Sequence, residues 1–227
     1  MKKLVISLGG SVIVPDEINI DFLEQFKKTL RKYYKDYRFV VVCGGGAIAR
    51  KYIEILKKDH KKREELDLAG IRATRMNSLV MMQFFGKEES NDFLPMDMKD
   101  VENALKKNKV VFCGALRYSP QSTSDSTASK LAAHLKTNFI NITNVNGFYD
   151  KDPNKYKNAK LISRIDFASF EKIAHKMKSQ PGQHFVLDQN ASTLIKENKI
   201  KTYIIGKDLK QLENVLKEKE FKGTLVS

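Results

Sequence analysis

Three short segments run from an apolar stretch straight into glycine: residues 8–11 (LGGS), 43–50 (CGGGAIAR) and 113–125 (CGALRYSPQSTSD). Glycine lets a backbone pass close to phosphate oxygens, because no Cβ blocks the approach and positive φ is allowed. A helix that follows adds its unpaired N–H groups and the positive end of its dipole. In the second segment a helix begins just after the glycines, and Arg50 falls one turn in, where a guanidinium can clamp a phosphate bidentately. One glycine pair alone is best read as a tight strand-to-helix turn. Three such turns after three strands of one sheet point to phosphate binding. A fourth segment, residues 138–153 (NFINITNVNGFYDKDP), ends an apolar strand in Thr-Asn and closes on Asp152-Pro153. It belongs at the carboxyl end of a buried strand, where open α/β sheets place their ligands. Neither GxxxxGK[ST] nor GxGxxG occurs, so the ordinary P-loop and dinucleotide-binding readings lose support.

The elements that must position these turns follow from periodicity. Buried strands are expected at residues 4–8, 39–42, 110–112, 139–142, 201–205 and 223–226. Helices are expected at 21–33, capped by Asp21, and at 47–57, 67–85, 101–107, 126–135, 167–177, 191–197 and 209–217. In the 67–85 helix, Ile71, Met76, Leu79 and Val80 are the expected core residues. For the 126–135 helix, Asp125 or a nearby serine is the expected cap. Alternating strands and helices imply a mainly parallel sheet covered on both faces. No internal repeat, linker or composition shift divides the chain.

The 227 residues suffice for a large α/β domain, and 41% are hydrophobic, which argues against general disorder. Lys and Arg total 41 against 27 acids, a net charge of +14. A basic surface for phosphate-bearing ligands or nucleic acid is one reading. A scatter of lysines over solvated helix faces is the preferred one, since no basic stripe interleaved with aromatics appears, and a nucleic-acid partner is not expected. The run at 57–65 (KKDHKKREE) reads as a solvated helix end or loop. Cys43 and Cys113 have no metal-ligand partner at useful spacing, the histidines are dispersed, and no metal-ligating residue set is assigned. A reduced, cytoplasmic setting is the simplest expectation. The apolar run after MKK is only five residues long, too short for a signal peptide, and no run approaches membrane-spanning length.

Taken together, LGGS, CGGGAIARKYI, DLAGIRATRMNSL, TSD before an Ala-rich helix, ITNVNGFYDKDP and YIIGK resemble the amino acid kinase family in order and spacing, most closely its archaeal uridylate kinase branch. The resemblance covers nearly the whole chain. It implies a three-layer αβα sandwich with a mainly parallel central sheet, and a single domain over 1–227. An acceptor-binding part takes up about 1–135 and an ATP-binding part about 136–227. It also implies transfer of phosphate from ATP to UMP with Mg²⁺ accompanying ATP, in a homo-oligomer that is a hexamer by analogy. Carried over by position, Gly9, Gly10, Ser11 and Gly46 hold ATP phosphates, with Arg50 serving both ATP and catalysis. Thr143, Asn144, Tyr149 and Asp152 also match ATP positions, Tyr149 near the adenine. Gly45 and Asp67 match UMP contacts, and Tyr118, Ser119, Pro120, Gln121, Ser122, Thr123 and Ser124 the loop that wraps UMP. Asp188 matches a catalytic acid that organises phosphates and Mg²⁺. Asp188 and Asp67 also fit as simple helix N-caps.

The chain departs from the family in places. Many members carry Lys two residues before the first glycine pair; here it is Ser7, and Arg50 is the candidate for the compensating charge. The acceptor segment is longer than usual, with Gln121 where Gly is common, and Arg117 reads equally as a phosphate contact or a solvated side chain. Residues 180–184 (QPGQH) also differ. A sister phosphotransferase acting on isopentenyl phosphate or a small carboxylate is therefore an alternative, though the second glycine turn lacks the His typical of isopentenyl phosphate kinases. A non-catalytic nucleotide- or nucleic-acid-binding regulator is the other.

Overall fold

Strand residues here send alternate side chains into two separate cores, so the apolar runs are nearly continuous rather than alternating. The computed structural model describes residues 1–118, 123–176 and 186–227. Its strands are β1 (Lys2–Leu8), β2 (Tyr37–Cys43), β3 (Val110–Cys113), β4 (Phe139–Ile142), β5 (Arg164–Ile165), β6 (Thr202–Ile205) and β7 (Gly223–Val226). Its helices are α1 (Gly10–Ile13), α2 (Ile20–Arg31), α3 (Gly46–Lys58), α4 (Arg63–Phe85), α5 (Met98–Lys107), α6 (Ser124–His134), α7 (Phe167–Lys176), α8 (Gln189–Glu197) and α9 (Leu209–Leu216). Leu4, Ile6 and Leu8 pack with Phe22, Phe26 and Leu30 of α2 and Leu212 of α9. Val5 faces the other way, with Val101 of α5, Leu131 of α6 and Ile195 of α8. Each such side chain, fully buried, contributes roughly 1.5–3 kcal/mol. The result is helices, sheet, helices: the three-layer sandwich that the sequence implies.

The sheet order is β3-β2-β1-β4-β6-β7-β5. All pairings are parallel except β6–β7. From β1 the chain builds outward through β2 and β3 on one side, then returns to lay β4 and β6 on the other. The crevice above the carboxyl ends of β1 and β4 is thus a topological switch point. The 8–11 and 143–144 segments leave the sheet on its two sides.

The turns after β1 and β2 touch backbone to backbone. A Cβ on Gly10 would lie 2.0 Å from the Gly46 nitrogen, and one on Gly44 would lie 2.2 Å from the Gly10 nitrogen. Gly46 has φ +62°, and its Cβ would meet the Gly10 carbonyl oxygen at 2.5 Å. The Gly44 carbonyl accepts from Asn77 Nδ2 of α4 at 2.7 Å. These glycines are therefore required first by the contact between two turns.

Several local expectations change. Helix α4 starts at Arg63, four residues before the expected start, because Glu65 accepts from the Lys62 backbone N–H at 3.0 Å and closes the first turn earlier. The charge run at 57–65 thus ends α3 and opens α4. Asn19 caps α2 in place of Asp21, and Thr123 caps α6 in place of Asp125. Met76, Leu79 and Val80 are not core: they are 56%, 38% and 42% exposed, while Ile71, Met81 and Phe85 point inward. The glycine turns, not α4's apolar pattern, set which side of that helix faces the sheet. The short helix α1 and the two-residue β5 were absent from the sequence expectation; neither is long enough to show a period.

Replacing Gly46 by Ala adds positive-φ strain to a backbone clash. The expected loss is about 2 kcal/mol or more of unfolding free energy. Urea denaturation checks this, and an unchanged midpoint would show that the two turns can separate freely.

Candidate active site

Two cavities open above the carboxyl ends of the strands. The larger, about 790 Å³, lies between α3, α4 and the start of α6. Ala49 and Ile53 of α3 and Leu66 and Ile71 of α4 make its apolar walls. Arg50, Lys57, Arg63 and Asp67 supply charge, and Gly45, Gly70, Thr74 and Ala115 also line it. Thr123, Ser124, Asp188 and Gln189 close one end. The smaller cavity, about 300 Å³, is lined by Val145, Phe148, Val186 and Leu187 together with Asn144, Tyr149, Asp152 and Tyr156. Leu187 belongs to one cavity and Asp188 to the other, so consecutive residues divide the two spaces. Asn141, buried on β4, donates from Nδ2 to the Val186 carbonyl and ties this segment to the sheet.

Asp188 stands where two helices begin. It caps α8 by accepting from the Ala191 N–H at 2.9 Å. Thr123, which caps α6 by accepting from the Ser126 N–H at 3.1 Å, donates its hydroxyl to Asp188. Ser126 Oγ donates to the same carboxylate at 3.2 Å. The cap reading and the site reading of Asp188 are therefore compatible: the residue that ends one helix also faces the cleft. Two helix N-termini aim their positive ends at this point, a setting that favours anions.

Behind Asp188 lies a second acid. Asp125 accepts from the hydroxyl of fully buried Ser7 at 2.7 Å. Burial, and then the negative charge of Asp188, push its carboxyl up to about 7, with the Ser7 hydrogen bond opposing the shift. The position where many family members carry Lys is thus filled by a hydroxyl that keeps an acid company. Asp125 was expected as a helix cap and as part of the Thr-Ser-Asp motif, not as an acid of the site; the signal was an acid directly after a Thr-Ser cap, at the start of an Ala-rich helix.

The structure places the other expected residues as follows. Asp67 sits in the second turn of α4, which removes its reading as an N-cap; its Oδ1 accepts from Arg63 Nε at 2.9 Å. Arg50 lies on the wall of the larger cavity and donates to the Pro15 carbonyl at 2.8 Å. Lys57 and Arg63, read in sequence as part of a solvated charge run, line the same wall. Arg117 is 81% exposed and pairs with Asp97 at 2.9 Å, so its choice between phosphate and solvent resolves into a surface ion pair. Gly9, Gly10, Ser11, Gly46 and Thr143 lie at the carboxyl ends of β1, β2 and β4 and line neither cavity. Asn144, Tyr149 and Asp152 come together in the smaller cavity, where Asp152 also accepts from the Asn154 N–H at 2.9 Å. The apolar surface of that cavity, Phe148, Val186 and Leu187, went unread because single apolar residues in a loop carry no period. Tyr118 is exposed, near Arg63 and Asp67, and does not line the larger cavity; Ser119, Pro120, Gln121, Ser122 and the 180–184 segment lie outside the described residues. Among the described residues no cluster of three or more His, Cys, Asp or Glu side chains could hold a metal by itself. No described helix is long and apolar enough to cross a membrane.

An open α/β sandwich with two cavities at its switch point, divided beside an acid that stands between two helix N-termini, defines a phosphate-handling class of protein. The chain belongs to the amino acid kinase family, whose model matches residues 2–206. It is 36% identical over 226 residues to a uridylate kinase of Thermococcus kodakarensis, covering 99% of each chain. It is 35% identical over 218 residues to one of Thermoplasma acidophilum, covering 95% of this chain and 93% of that one. The crystal structure of uridylate kinase from Archaeoglobus fulgidus superposes with a TM-score of 0.86 at 31% identity, covering all of both chains.

The raised carboxyl of Asp125 has a consequence for stability. Its folded-state value, about 7, lies above its ordinary value near 4, so its contribution is fully present below about pH 4 and is lost as pH rises through about 7. Asp125→Asn removes that loss. Its gain in melting temperature over wild type, measured without nucleotide or divalent cation, is expected to be larger at about pH 8 than at about pH 5. An equal shift at both values would show that Asp125 titrates normally.

Proposed function

We propose that this protein transfers the terminal phosphate of ATP to UMP, giving ADP and UDP, as a step of pyrimidine nucleotide synthesis. The observation that carries the reading is the pair of cavities divided at Leu187 and Asp188, with Asp188 facing the larger one between the starts of α6 and α8. It is supported by relatives named uridylate kinase over nearly the full chain. The smaller cavity, aromatic and apolar with polar groups at its rim, suits the adenosine of ATP, held by Asn144, Tyr149 and Asp152, with Thr143 at its entrance. The larger cavity suits UMP: Asp67 accepts from ribose hydroxyls, Gly45 allows close backbone approach, and Tyr118 to Ser124 wraps the acceptor. The turns at Gly9, Gly10, Ser11 and Gly46 present backbone N–H groups to the phosphates between the cavities. The acceptor part, about 1–135, and the ATP part, about 136–227, are not closed compartments, since Asp188 reaches back into the acceptor cleft.

Phosphoryl transfer is achieved by positioning and electrostatics, without a covalent nucleophile. Arg50, on the cleft wall, neutralises charge on the transferred group and stands in for the lysine that Ser7 replaces. The α6 and α8 N-termini add fixed partial positive charge at the same place. The residues fit Mg²⁺ accompanying ATP: Asp188 presents a carboxylate to the cleft with Asp125 behind it, and Mg²⁺ favours one or two carboxylates with phosphates and water. When bound, the ion neutralises charge on the phosphate oxygens. Asp188 would hold it, with Asp125 and its Ser7 hydrogen bond beside it. The isopentenyl phosphate and small-carboxylate readings give way to UMP because the relatives share that name across the acceptor half. The regulator reading gives way because the carboxylates and both cavities are intact.

A coupled assay of ADP release with UMP, CMP, isopentenyl phosphate and acetylglutamate side by side tests this. UMP is expected to be the preferred acceptor, and no acceptor-dependent ADP from any of them would favour the regulator. In the same assay Arg50→Ala is expected to lose at least about tenfold in turnover. Asp67→Asn is expected to raise the KM for UMP more than that for ATP; equal changes would assign Asp67 a structural role.

The exposed apolar side chains Met76, Leu79 and Val80 of α4, and Tyr52 and Ile55 of α3, support assembly into a homo-oligomer. With family resemblance the expected form is a hexamer, in the cytoplasm. Light scattering is expected to give a multiple of the 26.0 kDa protomer mass, reduced by Ile55→Glu; a monomer mass for wild type ends the proposal.

A further inference from the structure

The acceptor segment leaves β3 at Gly114, and α4 meets it there without a gap. A Cβ on Gly114 would lie 2.6 Å from the Arg75 nitrogen and 2.7 Å from Thr74 Oγ1. Thr74 Oγ1 accepts from the Ala115 N–H at 2.9 Å and donates to the Ile71 carbonyl at 2.7 Å. Arg75 Nε donates to the Ala115 carbonyl at 3.0 Å, and its Nη2 donates to the Leu116 carbonyl. Two parallel bonds from one planar fork fix two successive peptide planes, which an ammonium cannot do. Among the described residues no carboxylate pulls on this guanidinium; burial alone shifts it, downward. A partly buried Arg without an acid partner has given up hydration for these two carbonyls. Thr74 and Ala115 are themselves part of the larger cavity wall, and Thr123, at the other end of the segment, donates to Asp188.

We propose that Arg75 is a positioning residue for the acceptor: its fork on the Ala115 and Leu116 carbonyls, with Thr74 on the Ala115 N–H, fixes Ala115 in the wall of the larger cavity and hence sets affinity for the acceptor nucleotide. Arg75 lines neither cavity itself, so it acts through Ala115 and Leu116. The donor cavity shares no residue with the clamp. Loss of the clamp therefore separates the two substrates, where a general loss of stability would weaken both.

The proposal rests on the UMP-phosphorylating reading for its kinetic arm and on geometry alone for its second arm. Arg75→Lys keeps the charge and loses the fork. It is expected to raise the KM for UMP about tenfold, with the KM for ATP within about twofold and kcat within about threefold. Hydrogen exchange at Ala115 to Arg117 is expected to quicken about tenfold or more in the same variant, with exchange in β1 and β4 unchanged. Thr74→Val is expected to act in the same direction, and Thr74→Ser to restore wild-type behaviour. A parallel rise in both KM values, or an unchanged KM for UMP, would overturn the positioning role. Unchanged exchange at Ala115 to Arg117 would overturn the clamp, whatever the acceptor. A wild-type protein that does not use UMP sinks the functional reading, while the exchange arm still decides whether the clamp exists.

Discussion

The contact between the turns after β1 and β2 is the constraint on which the site depends. Gly10, Gly44 and Gly46 bring two backbones closer than any side chain permits, and Asn77 of α4 fastens the Gly44 carbonyl from behind. This contact fixes where α1 and α3 begin. The start of α3 fixes Arg50, and its packing with α4 sets the width of the larger cleft. An αβα sheet covered on both faces can be built from many apolar sequences; the placement of these two turns cannot.

Electrostatics then decides what the cleft accepts. Two carboxylates, Asp125 and Asp188, stand near one another at the meeting of two helix starts, and burial first, then their repulsion, raises the Asp125 carboxyl. Fixed helix dipoles point at Asp188, so the positive field is present before any ligand arrives. Ser7 fits this arrangement: a hydroxyl on β1 satisfies Asp125 without adding the charge that a lysine brings. The positive side chains stand instead on the opposite wall, at Arg50, Lys57 and Arg63.

Much of this was legible in the residues, for physical reasons that differ by element. β1, β2 and β4 announce themselves because strands buried on both faces are unbroken apolar runs. The glycine turns were legible as a set, but for a partly different reason than expected: Gly10, Gly44 and Gly46 serve the contact of chain with chain. The α4 core was misread because Met76, Leu79 and Val80 show helical spacing whether they face a sheet or the outside. Asp125 was hidden because its environment comes from Ser7 on a strand 118 positions away and from Asp188 on another helix. Arg75 was hidden for the same kind of reason, since a guanidinium that binds backbone carbonyls leaves no pattern of partner side chains.

Leu187 and Asp188 are neighbours in the chain yet serve different spaces. Peptide geometry holds consecutive Cα atoms about 3.8 Å apart, so the two cavities cannot drift independently along this edge. Any substitution that moves Leu187 at the smaller cavity also shifts Asp188 at the larger one. The segment works as a shared hinge pin: the shapes of the two cavities are mechanically linked.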